Sequence, residues 1–204
     1  MADKANVLKE SPSQTAGPYV HIGCTPNFSG MAMYGGDLGA SMKTGPVKGQ
    51  EIIFCGTVFD GAGEALTDAM IEIWQPDAAG LFASANEVRG TADAHFTGWG
   101  RSPGDMVTGE FRFETVKPGA VAMPDGRLQA PHITLWIVAR GINIGLQTRA
   151  YFEDEAEANE ADPLLSLIAD RDRVPTLMAR AEEAGVYRFD VHIQGPNETI
   201  FFDI

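Results

Sequence analysis

The segment EIIFCGTVFDGAGEALTDAMIEIWQ (51–75) decides the predicted fold. It contains two runs rich in β-branched and aromatic residues, 51–60 and 69–75, separated by the turn Gly61-Ala62-Gly63. In the second run, alanine and isoleucine alternate with methionine, glutamate and tryptophan, and a period of two residues is typical of a β-strand. The segment therefore predicts two strands joined by a glycine-rich connection.

More runs of this kind follow along the chain, at 109–119, 132–140, 146–152, 186–194 and 198–204. The run at 132–140 is almost continuously apolar, which favours a central strand buried on both faces. Glycine (23 residues) and proline (12 residues) fall largely between the runs, where turns are expected. The sequence therefore predicts about seven short strands.

One stretch breaks the strand pattern. The residues near 154–185 are rich in helix formers, are divided by Pro163 and Pro175, and predict a short helical excursion. The complete pattern predicts an all-β fold, an antiparallel β-sandwich that carries this excursion and a long irregular N-terminal arm.

The predicted arm covers residues 1–50, where glycine and proline are frequent and no long periodic run occurs. It is too apolar to be a free disordered tail. Its apolar residues are Tyr19, Val20, Ile22, Phe28, Met31, Met33 and Tyr34. Such an arm packs on its own core or on another chain. We therefore divide the chain into an arm, 1–50, expected to pack on a partner chain, and a β-sandwich domain, 51–204.

The charge balance excludes several classes of partner. With 15 Lys and Arg against 28 Asp and Glu, the formal net charge is −13. This argues against binding to nucleic acid or to an anionic membrane surface. No apolar run approaches the length of a membrane span, and the N-terminus lacks the apolar core of a secretory signal. Two cysteines without CxxC spacing suggest no disulfide framework, so a cytoplasmic location is expected.

The sequence contains few of the motifs that mark catalytic sites. The chain has no GxSxG, P-loop or HExxH motif. In a strand, residues two apart share a face, and the corresponding neighbour of His132 is Thr134, which makes a poor metal pair. Each histidine is therefore interpreted as a packing residue. Arg140 ends an apolar strand beside Gly141, where it could bind an anionic ligand. Taken alone, a structural pair with a nearby acid is the favoured interpretation.

Several separated motifs resemble, in order, those of the intradiol aromatic-ring dioxygenases, which are non-haem ferric enzymes built on a β-sandwich. The main motifs are GTVFDGAGEALTDAMIEIWQPDAAGLF (56–82), GEFRFETVKPG (109–119) and APHITLWIVARG (130–141). The resemblance extends through SQTAGPYVHIG (13–23), RGINIGLQTRAYFEDEAEAN (140–159) and YRFDVHIQGPNETIFFDI (187–204). It therefore spans nearly the whole chain and is weakest at 24–50 and 83–108.

The resemblance also shows where this chain departs from the family. Iron-carrying members hold ferric iron through two tyrosines and two histidines. Here the first tyrosine position is Phe82, the segment of the second reads Ala120-Val121-Ala122, and the histidine pair is reduced to His132 and Thr134. The resemblance therefore implies a chain with no metal ligands and no catalytic residues of its own. Its Fe(III) would be held by a related beta chain, in a large assembly with equal numbers of the two chains.

The resemblance further implies O₂-dependent cleavage of 3,4-dihydroxybenzoate between its hydroxylated carbons, in a pocket that this chain completes. The residues that match the substrate-binding contribution are Thr15, Gly17, Pro18 and Tyr19 on the arm, and Arg140. Two alternatives remain. One is a self-sufficient intradiol enzyme, which the missing ligands disfavour. The other is a non-catalytic β-sandwich scaffold or binding module.

Overall fold

A computed structural model describes residues 14–183 and 185–203 of the protein. Short strands dominate these residues, and none of their helices has the length and apolar character needed to cross a membrane. The strands are β1 (Glu51–Phe59), β2 (Met70–Trp74), β3 (Trp99–Pro103), β4 (Glu110–Val116), β5 (Val121–Ala122), β6 (Leu128–Gln129), β7 (His132–Val138), β8 (Leu146–Phe152), β9 (Met178–Glu183), β10 (Val186–Arg188) and β11 (Val191–His192). The α-helices are α1 (Val20–Cys24) and α2 (Ala156–Ala161).

All of these strands except the β5–β6 hairpin belong to one continuous sheet. Its order is β11-β1-β10-β9-β8-β7-β2-β3, and β4 also pairs with β1. Strands β3 and β4 lie side by side, because Arg112 N in β4 donates to Ser102 Oγ in β3 at 3.2 Å. The sheet is therefore nearly closed around its core, like a barrel.

The all-β prediction is confirmed, but the antiparallel sandwich is not. β1 runs parallel to β10 and to β11, and β8 runs parallel to β9, so the sheet is mixed. Side-chain alternation has the same period of two in parallel and antiparallel strands. The sequence pattern therefore locates a strand without fixing its direction or its neighbour.

The prediction of a helical excursion near 154–185 is correct up to Leu177 and wrong beyond it. Helix α2 is followed by 3₁₀ turns at Leu165–Leu167 and Arg171–Leu177, but β9 then occupies Met178–Glu183. β9 lies between β8 and β10 and pairs with both. Backbone hydrogen bonds on two sides outweigh the helix propensity of its sequence, MARAEE.

The main core lies inside the nearly closed sheet. Phe54 packs against Phe111, Phe113 and Phe189, with ring centroids 5.9, 6.5 and 6.2 Å away. β1 approaches Phe189 so closely that a Cβ at Gly56 would lie 1.9 Å from the Phe189 carbonyl oxygen. Only glycine fits this position of the strand.

The described part of the arm packs on its own domain. Met42 is buried in the core, Arg101 N donates to Gly39 O at 2.9 Å, and Lys117 N donates to Gln50 O at 2.8 Å. The arm nevertheless leaves a group of large apolar side chains exposed, and these are Tyr19, Phe28, Met31, Met33, Tyr34 and Leu38. Packing of the arm on a partner chain stays a prediction, and its residues 1–13 lie outside the described residues.

Candidate functional site

The first candidate site forms where β2 and β7 meet the arm. β2 and β7 pair antiparallel with Met70 opposite Val138. The chain leaves β7 through buried Ala139 and turns at Gly141, whose φ is +86°. Between these two residues, the Arg140 side chain is 68% exposed. The left-handed conformation of Gly141 turns the chain at once, so Arg140 stands at the tip of the strand.

Thr15 attaches the arm to both neighbours of Arg140. Its Oγ1 donates to Ala139 O at 3.2 Å and accepts a hydrogen bond from Gly141 N at 3.1 Å. Gly17 N also donates to Thr15 Oγ1, at 3.4 Å. The Thr15 hydroxyl is thus used within the chain, where it fixes the arm against the turn that carries Arg140.

The other predicted arm residues follow Thr15 along the chain. Gly17 has a φ of +74°, and a Cβ there would meet nothing within 4 Å, so its backbone conformation is what favours glycine. Pro18 is half-buried, and the Tyr19 side chain is exposed at the start of α1. Hydrogen bonds therefore join Thr15 to Gly17 and to the two residues that flank Arg140, while Pro18 and Tyr19 follow directly along the arm.

Sequence reasoning missed Asp68, which lies just before β2. This residue is buried, and its Oδ2 is 3.5 Å from Arg140 Nε. A strand pattern does not reveal such a contact, because it depends on how β2 and β7 are paired. The signal that could find it is the pairing of β2 with β7, which brings together the turns next to Met70 and Val138.

A second site lies where the resemblance puts the iron of related chains. Phe82 stacks on Trp74 with ring planes 3° apart and centroids 6.0 Å apart. Both rings line a pocket of about 610 Å³, whose wall also includes Val121. At its rim Arg89 bonds Glu87, and these hydrogen bonds lower the pKa of the Glu87 carboxyl to about 2. The pocket is therefore lined by two aromatic rings, and the Arg89–Glu87 ion pair at its rim adds no net charge.

The residues next to this pocket do not fit a ferric ion. His132 is buried with its Nδ1 2.7 Å from Ala130 O, and burial together with the Arg149 charge lowers its pKa to about 4. Opposite Thr134 in the sheet stands Arg149, whose Nη1 donates to Gln129 Oε1 at 2.7 Å. A guanidinium in this position repels a metal cation. In residues 14–183 and 185–203, no group of three or more histidine, cysteine or acidic side chains could hold a metal.

Comparison with known proteins agrees with this fold. Residues 24–195 match the family model Dioxygenase_C, whose description is Dioxygenase, and the chain belongs to that family. Over 200 residues it is 42% identical to the protocatechuate 3,4-dioxygenase alpha chain of Pseudomonas putida, covering 97% of this chain and 98% of the relative. It is also 28% identical over 174 residues to the protocatechuate 3,4-dioxygenase beta chain of Burkholderia cepacia, covering 78% and 71% of the two chains.

Among solved structures, hydroxyquinol 1,2-dioxygenase from Pseudomonas putida DLL-E4 has the same fold. The TM-score is 0.57 at 15% identity, over 92% of this chain and 63% of that one. The resemblance to the intradiol dioxygenases that the sequence motifs indicated is confirmed by the family match and by the alpha-chain relative. The two curated relatives are thus named as an alpha chain and a beta chain of protocatechuate 3,4-dioxygenase.

Proposed function

We propose that this chain is the iron-free alpha-type subunit of a protocatechuate 3,4-dioxygenase. With a beta chain it would take part in the O₂-dependent intradiol cleavage of protocatechuate (3,4-dihydroxybenzoate) to 3-carboxy-cis,cis-muconate. The observation that carries the proposal is the attachment of the arm to the Arg140 turn through Thr15. This attachment presents an exposed guanidinium beside fixed backbone, as one wall of a pocket that needs a second chain to close it.

The proposal places Fe(III) in the beta chain. It is supported by the residues at the corresponding positions of this chain, since Phe82, Val121 and Thr134 offer no phenolate or imidazole and Arg149 adds a positive charge. This chain would therefore contribute no catalytic residue of its own. Its contribution would be the shape and charge of the substrate pocket.

Each arm residue would have a distinct part in that pocket. Arg140 would direct the planar donors of its guanidinium at the anionic substrate, since such a fork suits a carboxylate. Gly17 and Pro18 would let backbone approach the aromatic ring closely. Tyr19 would offer a hydroxyl for orientation, and Thr15 would keep these residues in register with Arg140.

The exposed apolar side chains of the arm support an obligate interface with the beta chain. Tyr34 is 88% exposed and Leu38 is 71% exposed, and both belong to a segment that is anchored to its own domain at Gly39. Apolar groups of this size are typically covered in permanent complexes. We propose equal numbers of alpha and beta chains, in a large assembly located in the cytoplasm, with no nucleic-acid or membrane partner.

Co-expression with a beta chain tests the proposal. The two chains are expected to co-purify, to contain iron, and to consume O₂ with protocatechuate, whereas the chain expressed alone is expected to aggregate or misassemble. If it purifies alone as a well-behaved monomer and leaves the activity of the beta chain unchanged when added, it is a scaffold or binding module instead. If the lone chain turns over catechols, it is a self-sufficient enzyme.

A further inference from the structure

An acid lies close to Arg140 at the end of the β2–β7 pair. Met70 pairs with Val138, Glu72 with Trp136 and Trp74 with Thr134, so paired residue numbers have a constant sum. The ladder ends at Met70 and Val138, and Asp68 and Arg140 lie in the turns just beyond these two strand ends. There the Asp68 Oδ2 atom is 3.5 Å from Arg140 Nε. The pairing of the two strands thus brings the acid and the guanidinium close to each other.

The acid is the fixed member of this pair. The Asp68 side chain is only 11% exposed, whereas that of Arg140 is 68% exposed. The Asp68 Oδ2 atom is buried and makes no hydrogen bond within the described part of the chain, and the ion pair to Arg140 Nε is at 3.5 Å. A buried carboxylate oxygen without a donor strongly favours a nearby cation. Asp68 therefore restricts where the long Arg140 side chain can lie.

We propose that Asp68 is a positioning residue that orients Arg140 toward the anionic group of the substrate. This inference rests on the proposed function of Arg140. Asp68 attracts the Nε side of the guanidinium, which leaves the two terminal nitrogens free to donate to a ring-bound carboxylate in a bidentate manner. Thr15 fixes the backbone on either side of Arg140, and Asp68 fixes the side chain. Together they preorganise the Arg140 guanidinium before the substrate binds, which lowers the entropy lost when the side chain is ordered on binding.

A double-mutant cycle in the co-expressed alpha/beta complex tests this assignment. The variants are Asp68→Asn, Arg140→Ala and the double mutant, with kcat and KM for protocatechuate measured by O₂ uptake. Asp68→Asn is expected to lower kcat/KM by about tenfold when Arg140 is present and by less than about twofold in the Arg140→Ala background, because its effect passes through Arg140. Asp68→Glu keeps the charge and is expected to restore most of the activity.

Two controls separate positioning from folding. Glu114→Gln makes the same change of charge at an exposed position of β4, a strand that does not pair with β2 or β7, and is expected to leave kcat/KM unchanged. Thermal unfolding of each complex records any loss of stability. If the Asp68→Asn chain does not assemble with the beta chain, Asp68→Ser replaces it in the same cycle.

The outcomes distinguish this inference from the proposed function. If Arg140→Ala loses activity while Asp68→Asn keeps it, or if Asp68→Asn has the same effect in both backgrounds, Asp68 is not a positioning residue and the proposed function stands. If Arg140→Ala itself leaves kcat/KM unchanged, Arg140 does not bind the substrate, and the assignment of Asp68 is wrong together with it.

Discussion

Arg140→Ala should change both the activity of the complex and the stability of the chain. In this chain Arg140 is largely exposed, and its ion pair to Asp68 is long, at 3.5 Å. Because the Asp68 side chain is only 11% exposed, removal of the guanidinium leaves its carboxylate without a cation, and the free energy of unfolding is expected to fall by about 1–3 kcal/mol. The same guanidinium, covered by the beta chain and the substrate, would make a charge-assisted contact.

Such a contact is worth about 1.5–3 kcal/mol. Since about 1.4 kcal/mol corresponds to a factor of ten, Arg140→Ala is expected to lower kcat/KM by about ten- to 150-fold. Arg140→Lys keeps the charge but loses the planar fork, and it should recover only part of this loss.

The assay is O₂ uptake with protocatechuate by the co-expressed complex, accompanied by thermal unfolding. Arg127→Ala is the matched control, since Arg127 is also exposed and pairs with Asp125 at 2.7 Å in the β5–β6 hairpin, outside the main sheet. Its kcat/KM should equal that of the wild type. An Arg140→Ala complex with unchanged kcat/KM, or one in which activity falls only in proportion to the folded fraction, refutes the reasoning.

Three further predictions concern the attachment of the arm, the buried histidine and the close approach at Gly56, and each can be tested in the complex or in the chain itself. Thr15→Val removes the hydrogen bonds to Ala139 O and from Gly141 N, so kcat/KM should fall several-fold. The amide hydrogen of Gly141 should also exchange faster with solvent, and an unchanged exchange rate would contradict the attachment of the arm. The buried His132 has a pKa lowered to about 4, so the unfolded chain binds a proton below about pH 6.5 that the folded chain does not. The free energy of unfolding should therefore decrease as the pH falls from about 6.5 toward 4, by on the order of 2–3 kcal/mol more in the wild type than in His132→Gln. Urea unfolding at a series of pH values measures this, and the same pH dependence in wild type and variant would refute it. Gly56→Ala should destabilise the chain by more than about 3 kcal/mol, because its Cβ would lie 1.9 Å from a backbone oxygen, whereas Gly23→Ala, with nothing within 4 Å, should be tolerated.

The strands that the sequence predicted are those with a clear local period. β1, β2, β4, β7 and β8 all lie within the predicted runs, because one of their faces packs into the core and the residue types record it. The predicted run at 186–194 is divided into β10 and β11, and the prediction of a strand at 198–204 is wrong, since residues 198–203 form none. β3, with the sequence WGRSP, has little apolar alternation, and β9 has the composition of a helix. β3 becomes a strand by pairing with β2, and β9 by pairing with β8 and β10, rather than through an alternation of its own sequence.

The candidate site was predictable only in part, for the same reason. The resemblance supplied Arg140 and the arm residues as a set of positions, and the structure then joined Thr15 to the Arg140 turn. Asp68 was not predicted, since its contact with Arg140 joins two turns that are distant in sequence and meet only when β2 pairs with β7. The unsuitability of the His132 region for a metal was visible in the missing ligands, but the opposing charge of Arg149 required the β7–β8 pairing.

The location of the iron tests the central claim most directly. Metal analysis and visible absorption should be measured on the chain refolded or purified alone and on the co-expressed complex, both supplied with ferric iron. We expect the complex to bind iron and to show the strong colour of ferric tyrosinate, while the lone chain shows neither. Stoichiometric iron with that colour in the lone chain would contradict the assignment of the metal to the beta chain.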